Sequence, residues 1–305
     1  MSAQTKALAA AVLAASLAVA GCQAVKQGAA DIIASTGKVS QEDAQSLVKT
    51  ADAVRTSFAE ITEEEEYYIG RSTAALILSK YKVYRNDALS AYLNAMGTAV
   101  AYSSDRPETY GGYHFAVIDA DEVNAMAAPG GFIFVTKGLV KRCADEETLA
   151  AILAHEIGHV AERHGLQSIK KSRLIDAFKI IGGEASRQFN SEELAKVTAV
   201  FEGALGDVVA TLVERGYDRK FEYEADKLAL SYAVRTGYSP GGLAEFLKGM
   251  EENKPAGLVS GWFKTHPSAS DRLARAKAET AALGAVPVKL DARTARFAAA
   301  VKAVR

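Results

Sequence analysis

The sequence predicts an α+β fold that is mainly helical and carries one small antiparallel sheet. Apolar residues recur at helical spacing over most of the chain beyond residue 40, while strand-like patterns are confined to residues 113–136. Length and composition agree: 305 residues, 49% apolar and 24% charged, are the proportions of a folded globular chain, and no repeat of solenoid period interrupts them. Disordered and fibrous classes are excluded. With 36 basic and 37 acidic residues the formal charge is −1, so the chain lacks the positive field that nucleic acid binding requires.

At the N-terminus Lys6 precedes an uncharged run, residues 7–20, rich in Ala, Leu and Val. The run is shorter than the ~20 residues of a spanning helix and fits the apolar core of a secretory signal. Leu17-Ala18-Val19-Ala20-Gly21-Cys22 resembles a bacterial lipobox, so residues 1–21 read as a lipoprotein signal peptide and Cys22 as the lipidated residue. Several acyl chains on Cys22 would hold the protein to a membrane surface. Gln23 stands where Asp would direct inner-membrane retention, which points to the outer membrane. Cys143, the other of the two cysteines, reads as a small inert side chain. Residues 22–40, small and polar, form a tether.

From Ser40 the pattern is helical, with Glu42 and Asp43 in a negative first turn and Leu47, Val48, Ala51, Val54 and Phe58 on one face. Glu63, Glu64, Glu65 and Glu66 open a second helix, where they complement the helix dipole. Ile69, Ala74, Ile77, Leu78 and Tyr81 supply its apolar positions. Asn86 caps a third helix through Leu89, Tyr92, Leu93, Met96 and Val100. Strands follow at 113–118, 124–128 and 132–136, with Pro129-Gly130-Gly131 turning the chain between the last two. Beyond Asp145 the chain is helical almost to its end, with breaks near Gly165, Gly182-Gly183, Gly216, Gly237 and Lys254-Pro255, and helix starts at Asn190 and Ser239-Pro240. The main domain is therefore expected over 41–284, with a helical extension over 285–305.

The chemistry lies in His155-Glu156-Ile157-Gly158-His159. A chain of this composition should contain H-E-x-x-H by chance only ~0.006 times. Asp145-Glu146-Glu147 starts the surrounding helix, and Leu149, Ile152, Leu153, Ile157 and Val160 make it apolar nearly all round, as in a buried helix. His155 and His159, one turn apart on one face, can bind one metal ion with Glu156 beside them.

A catalytic zinc takes three protein ligands and an open position. The metzincin arrangement fails, because its third His and its Gly would fall on Gly165 and Glu162. His164 is one residue short and reads as a cap or surface group. The better candidate is Arg219-Lys220-Phe221-Glu222-Tyr223-Glu224-Ala225-Asp226, a helical segment with Glu222 and Asp226 on one face and Glu224 roughly opposite. Glu222 is the ligand chosen. Ala225, Ala229 and Ala233 form a smooth row that permits close approach to the His155 helix. Asp226, one turn beyond Glu222, is positioned to accept the free ring N–H of a ligand His.

These segments resemble the gluzincin metallopeptidases that include the CAAX prenyl protease and the HtpX heat-shock protease, and most of all their periplasmic lipoprotein branch, related to the beta-barrel assembly-enhancing protease. The resemblance is carried by Tyr68-Ile69-Gly70-Arg71, Ser104-Asp105-Arg106-Pro107, residues 124–131, residues 155–164, residues 222–226 and Thr265-His266-Pro267 with Arg272. It implies a zincin-like domain whose sheet packs on the active-site helix. It also implies one zinc ion per chain held by His155, His159 and Glu222, with Glu156 as the catalytic base. The spanning helices of the family's membrane-embedded members and the C-terminal helical-repeat domain of its larger periplasmic members are not expected here.

The same resemblance puts His266 near the metal, where its imidazole either stabilises an oxyanion or fills zinc's fourth position at rest. It also makes Asn124, Ala125, Met126 and Ala127 the strand beside which an extended polypeptide adds. Misfolded or stalled envelope proteins are then the implied substrates. A repeat-containing adaptor or the outer-membrane assembly machinery are the implied partners, with the chain in the periplasm, lipid-anchored, at the outer membrane. Two other classes stay open at this point: a chaperone-like or scaffolding lipoprotein with a mainly structural or self-blocked zinc site, and a zinc hydrolase acting on something other than peptides. A structural site needs no general base, which Glu156 would be; a sheet edge suits a peptide.

Overall fold

The computed structural model describes residues 61–168, 203, 205–253, 261–266, 269–283, 286–288, 290–302 and 304. The signal peptide, Cys22, the tether, the helix starting at Ser40, the helix start at Asn190, the breaks at Gly182-Gly183 and Lys254-Pro255, and Pro267 lie outside the described residues. Residues 61–305 form one compact unit.

Helix α1 (Glu63–Lys80) opens with a capping box: Glu65 N–H donates to Thr62 Oγ1 (3.2 Å) and Thr62 N–H donates to Glu65 Oε2 (2.8 Å). Ile69, Ala74 and Ile77 are buried along its inner face, whereas Leu78 is exposed. Glu66 does more than complement the helix dipole. It is fully buried, ion-paired with Arg106 (2.9 Å) and Arg163 (3.0 Å), and accepts from Gly130 N–H (3.1 Å). Helix α2 (Asp87–Tyr102) is capped by Asn86, whose side chain accepts from Leu89 N–H at 2.9 Å.

Strands β1 (His114–Ile118), β2 (Ala125–Ala128) and β3 (Phe132–Thr136) make a sheet in the order β1-β3-β2. The helical α+β class holds, but the sheet is mixed and not antiparallel throughout. β2 pairs antiparallel with β3, as the tight Pro129–Gly131 turn dictates, whereas β1 runs parallel to β3 with His114 opposite Phe132 and Ile118 opposite Thr136. Residues 119–124 carry the chain past the position that β3 later fills. Gly130 (φ 71°) and Gly131 (φ 98°) turn in the left-handed region, where a side chain would be strained.

Alternation sends the two sheet faces into different apolar clusters. Phe115, Val117, Ala125, Ala127, Ile133 and Val135 meet α2, helix α4 (Glu146–Ala161) and helix α6 (Arg219–Thr236); Ile118, Met126, Ala128 and Phe134 meet α1 and the segment around Leu205, Val208 and Leu212. Between β3 and α4 lies the short helix α3 (Lys137–Arg142), and after α4 the short α5 (His164–Gln167). A π-helical turn, Ala210–Arg215, precedes α6, which stops at Gly237 (φ 86°). Helices α7 (Gly241–Glu252), α8 (Trp262–Thr265) and α9 (Ala269–Ala282) follow.

The C-terminal helix α10 (Asp291–Val301) packs Phe297 and Val301 into the core and reaches the start of α4. There Arg293 pairs with Glu147 (2.9 Å), and Arg296 pairs with Glu146, which also accepts from the hydroxyls of Tyr92 (2.8 Å) and Tyr238 (3.0 Å).

Candidate active site

Helix α4 begins where Asp145 caps it: Asp145 Oδ1 accepts from Thr148 N–H (2.8 Å) and from Thr148 Oγ1 (2.7 Å). Every residue from 146 to 160 is buried, so the two histidines and Glu156 stand inside the protein. Helix α6 lies directly against it. A Cβ on Gly158 would meet Ala225 Cα at 3.3 Å, and Ala225, Ala229 and Ala233 are all buried in this contact. Small residues on both sides bring Glu222, in the first turn of α6, to the histidine face of α4.

His155 Nε2 and His159 Nε2 are 3.1 Å apart and point at the same place. Glu222 puts one carboxylate oxygen 3.6 Å from each. His266, at the end of α8, adds Nδ1 at 3.1 Å from Glu222 and 3.4 Å from His155 Nε2. One donor atom from each of these four residues falls within 4.8 Å of the others, so the group could hold a metal ion. Beside it both oxygens of Glu156 are buried without a hydrogen-bond partner, and His266 Nε2 is 3.7 Å away. A buried carboxylate left unsatisfied is costly unless something charged or wet joins it.

The donors are held by a second layer. Asp226 Oδ1 is 2.9 Å from His155 Nδ1. Arg272, fully buried, donates from Nε and Nη2 to the two oxygens of Asp226 (2.8 and 2.7 Å). Its Nη1 lies 2.7 Å from Glu222 Oε2 as an ion pair without hydrogen-bond alignment. Trp262 stacks on the His266 ring at 4.0 Å, and Tyr217 stacks on His159 at 4.2 Å.

Burial pushes the Glu156 pKa up to about 7, with His266 and Arg272 pulling the other way and Glu222 adding to the rise. Burial also works against ionising Asp226 and Glu222, yet both are held below the ordinary carboxylate range, Asp226 chiefly by Arg272 and Glu222 chiefly by His266 and Arg272. Burial lowers His155 and His159, which favours the neutral imidazoles that coordinate metals. Against its burial, Glu222 and Glu156 pull the His266 pKa up. The donor set of two neutral His and a Glu suits zinc.

The structure brings His155, Glu156, His159, Glu222, Asp226 and His266 together, and Ala125, Met126 and Ala127 line the same narrow cavity with Glu156, Tyr217 and His266. Asn124 lies at its margin: its Oδ1 accepts from Ala125 N–H and Thr265 Oγ1, both at 3.0 Å. Asn124 C=O accepts from Thr136 N–H in the β3 ladder, so by alternation the backbone groups of Ala125 and Ala127 face away from β3. That edge is covered, with Tyr217 Oη donating to Ala127 C=O at 3.4 Å.

His164 corrects the reading as a cap or surface group. It is fully buried, with Nδ1 2.8 Å from His159 Nδ1. α4 ends at Ala161, and Arg163, in the left-handed region (φ 54°), folds the chain back beneath it. Helical periodicity cannot follow a side chain past such a reversal. Nothing local in the sequence marks the burial of Arg272 or the stacking of Tyr217 and Trp262 on the histidines.

A family model described as Peptidase family M48 matches residues 87–280. Among curated proteins, the beta-barrel assembly-enhancing protease of Escherichia coli (strain K12) is 26% identical over 215 residues, 70% of this chain and 42% of that protein. Metalloprotease LoiP of the same strain is 30% identical over 187 residues, 60% of this chain and 66% of LoiP. The mitochondrial metalloendopeptidase OMA1 of Schizosaccharomyces pombe is 27% identical over 152 residues, 49% of this chain and 41% of OMA1. The match to the first of these thus spans about two fifths of its length.

Proposed function

The chain belongs to peptidase family M48, and from that premise we propose that it is a zinc metalloendopeptidase acting on misfolded or stalled proteins of the cell envelope. One observation carries the reading: a buried carboxylate with no hydrogen-bond partner, Glu156, stands beside two imidazoles that burial keeps neutral and Glu222. A purely structural metal site has no use for it. Zinc held by His155, His159 and Glu222 would supply a Lewis acid that acidifies water and polarises a carbonyl. Glu156, with its pKa about 7, is matched to taking a proton from the attacking water and returning it to the leaving amine. Asp226 holds His155 in the tautomer that turns Nε2 toward the metal.

An extended substrate adds beside Ala125 and Ala127, whose outward backbone groups offer a donor and an acceptor each once Tyr217 has moved. His266 closes the centre at rest as a further nitrogen donor. The relatives, a beta-barrel assembly-enhancing protease, a metalloprotease and a mitochondrial metalloendopeptidase, favour proteolysis over scaffolding. Lipidated Cys22 anchors the chain in the periplasm at the outer membrane; among the described residues no helix is long and apolar enough to cross a membrane. A repeat-containing adaptor or the outer-membrane assembly machinery are the partners proposed.

Metal analysis together with casein cleavage tests the reading. Wild type should carry one zinc and cleave, while Glu156→Gln should carry the zinc and not cleave. Zinc without any Glu156-dependent cleavage would favour a scaffolding lipoprotein with a self-blocked site, the reading that His266 among the donors also supports. For the anchor, Cys22→Ala should leave the membrane fraction or accumulate as precursor; a mature variant still in the membrane would refute lipidation.

A further inference from the structure

We propose that His164 and Glu224 form a relay that orients His159 and sets which of its ring nitrogens carries the proton; the proposal rests on the reading of His159 as a metal ligand. The two histidines of α4 are supported by different devices. His155 meets a buried carboxylate directly, Asp226 Oδ1 at 2.9 Å from its Nδ1. His159 meets a second imidazole, His164, with Nδ1 facing Nδ1 at 2.8 Å. The far nitrogen of His164, Nε2, lies 3.2 Å from Glu224 Oε2.

One arrangement of protons satisfies all of these contacts and leaves His159 a lone pair for a metal. Two ring nitrogens at 2.8 Å share a single proton. His159 Nε2 points into the donor cluster, 3.1 Å from His155 Nε2 and 3.6 Å from Glu222, and can offer a lone pair there only if the ring carries its proton on Nδ1. His159 Nδ1–H then donates to His164 Nδ1, which must be bare. His164 consequently carries its proton on Nε2, where Glu224 accepts it. The half-exposed Glu224 thereby selects the tautomer of a buried ring two links away.

The local backbone is built around this geometry. Arg163 takes left-handed angles (φ 54°), uncommon for a residue with a side chain, and its Nε is paired with Glu66 Oε2 at 3.0 Å. That turn delivers His164 under His159, where its ring packs on Phe221 at 4.3 Å. A neutral imidazole has a physical advantage here over a direct carboxylate. Glu156, Glu222 and Asp226 already crowd the interior, and a relay supports His159 while its charged end stays at the surface.

The test is the zinc affinity of the full chain, measured by competition with a chromophoric chelator, alongside ring nitrogen shifts of the metal-free protein. His164→Phe keeps the ring packing and removes the acceptor; zinc binding should weaken by about 10- to 100-fold. His164→Asn, which can restore an acceptor near the Nδ1 position, should recover most of that loss. Glu224→Ala lies at the surface and should fold normally, yet it should weaken zinc binding several-fold, whereas Glu224→Gln keeps an acceptor and should stay near wild type. In the metal-free wild type His159 should carry its proton on Nδ1, and in His164→Phe the two tautomers should mix. Zinc affinity at the wild-type level in both His164→Phe and Glu224→Ala, or a wild-type His159 protonated on Nε2, would overturn the relay. Failure of the wild type itself to bind zinc would instead overturn the metal reading beneath it, a result distinguishable from wild type and variants binding alike.

Discussion

His266 Nδ1 stands 3.1 Å from each oxygen of the Glu222 carboxylate. The imidazole is steadied on its other side by the face of Trp262, and the residue by its backbone N–H, which donates to Trp262 C=O at 2.7 Å. A side chain fixed this firmly among metal donors is suited to closing the centre. His266→Ala should therefore raise basal casein cleavage several-fold with zinc content unchanged. Lower turnover at constant zinc would assign His266 to oxyanion stabilisation, and wild-type activity would remove both roles.

Glu156 makes the stability of the metal-free protein depend on pH. Its pKa is pushed from 4.5 to about 7 by burial, so between these values the folded chain holds a proton that the unfolded chain has released. Stability then falls as pH rises through the window, by about 3 kcal/mol for a shift of this size. Glu156→Gln lacks the group. In chelator-treated protein, its stability advantage over wild type in urea should be small near pH 4.5 and grow toward neutrality; an advantage independent of pH would refute the assignment.

Arg272 is a buried guanidinium that pairs with both Asp226 and Glu222. Removing one partner from a buried ion network leaves the others uncompensated, so Arg272→Met should destabilise the metal-free protein by about 3–5 kcal/mol. Arg272→Lys should recover little, because a single ammonium cannot span both oxygens of Asp226 and reach Glu222 as well. An unchanged urea midpoint in Arg272→Met would show that the network contributes nothing.

Ala127→Pro tests the substrate edge. Ala127 N–H faces away from β3, so a proline there spares the β3 ladder and removes one donor from the outer edge. KM for an extended peptide should rise with zinc content intact. Full activity would exclude strand addition at this residue.

The helical class, the capped start of α4 and the shared face of His155 and His159 were legible because each follows from spacing along one element. Glu222 and Asp226 were legible as neighbours for the same reason. Strand neighbours were not: alternation reveals that residues 114–118 form a strand, yet it carries no information on whether β3 or β2 lies beside them. His164 was lost at the left-handed turn of Arg163, and Arg272 reaches its carboxylates from 46 and 50 positions away in the sequence. Glu66 was hidden in a run of four acids, although it lies three residues before Ile69 on the inward stripe of α1 and could have been read there.

The burial of Glu66 bears on where this catalytic unit can be cut. A recombinant fragment trimmed to the matched span, 87–280, would retain every metal donor. It would also leave Arg106 and Arg163 converging on an empty socket at the end of α4, and Glu146 and Glu147 at its start without Arg296 and Arg293. The boundary drawn by sequence similarity is thus narrower than the electrostatic one. An expression fragment has to begin no later than the Thr62 cap and run through α10 if the active-site helix is to keep both of its ends.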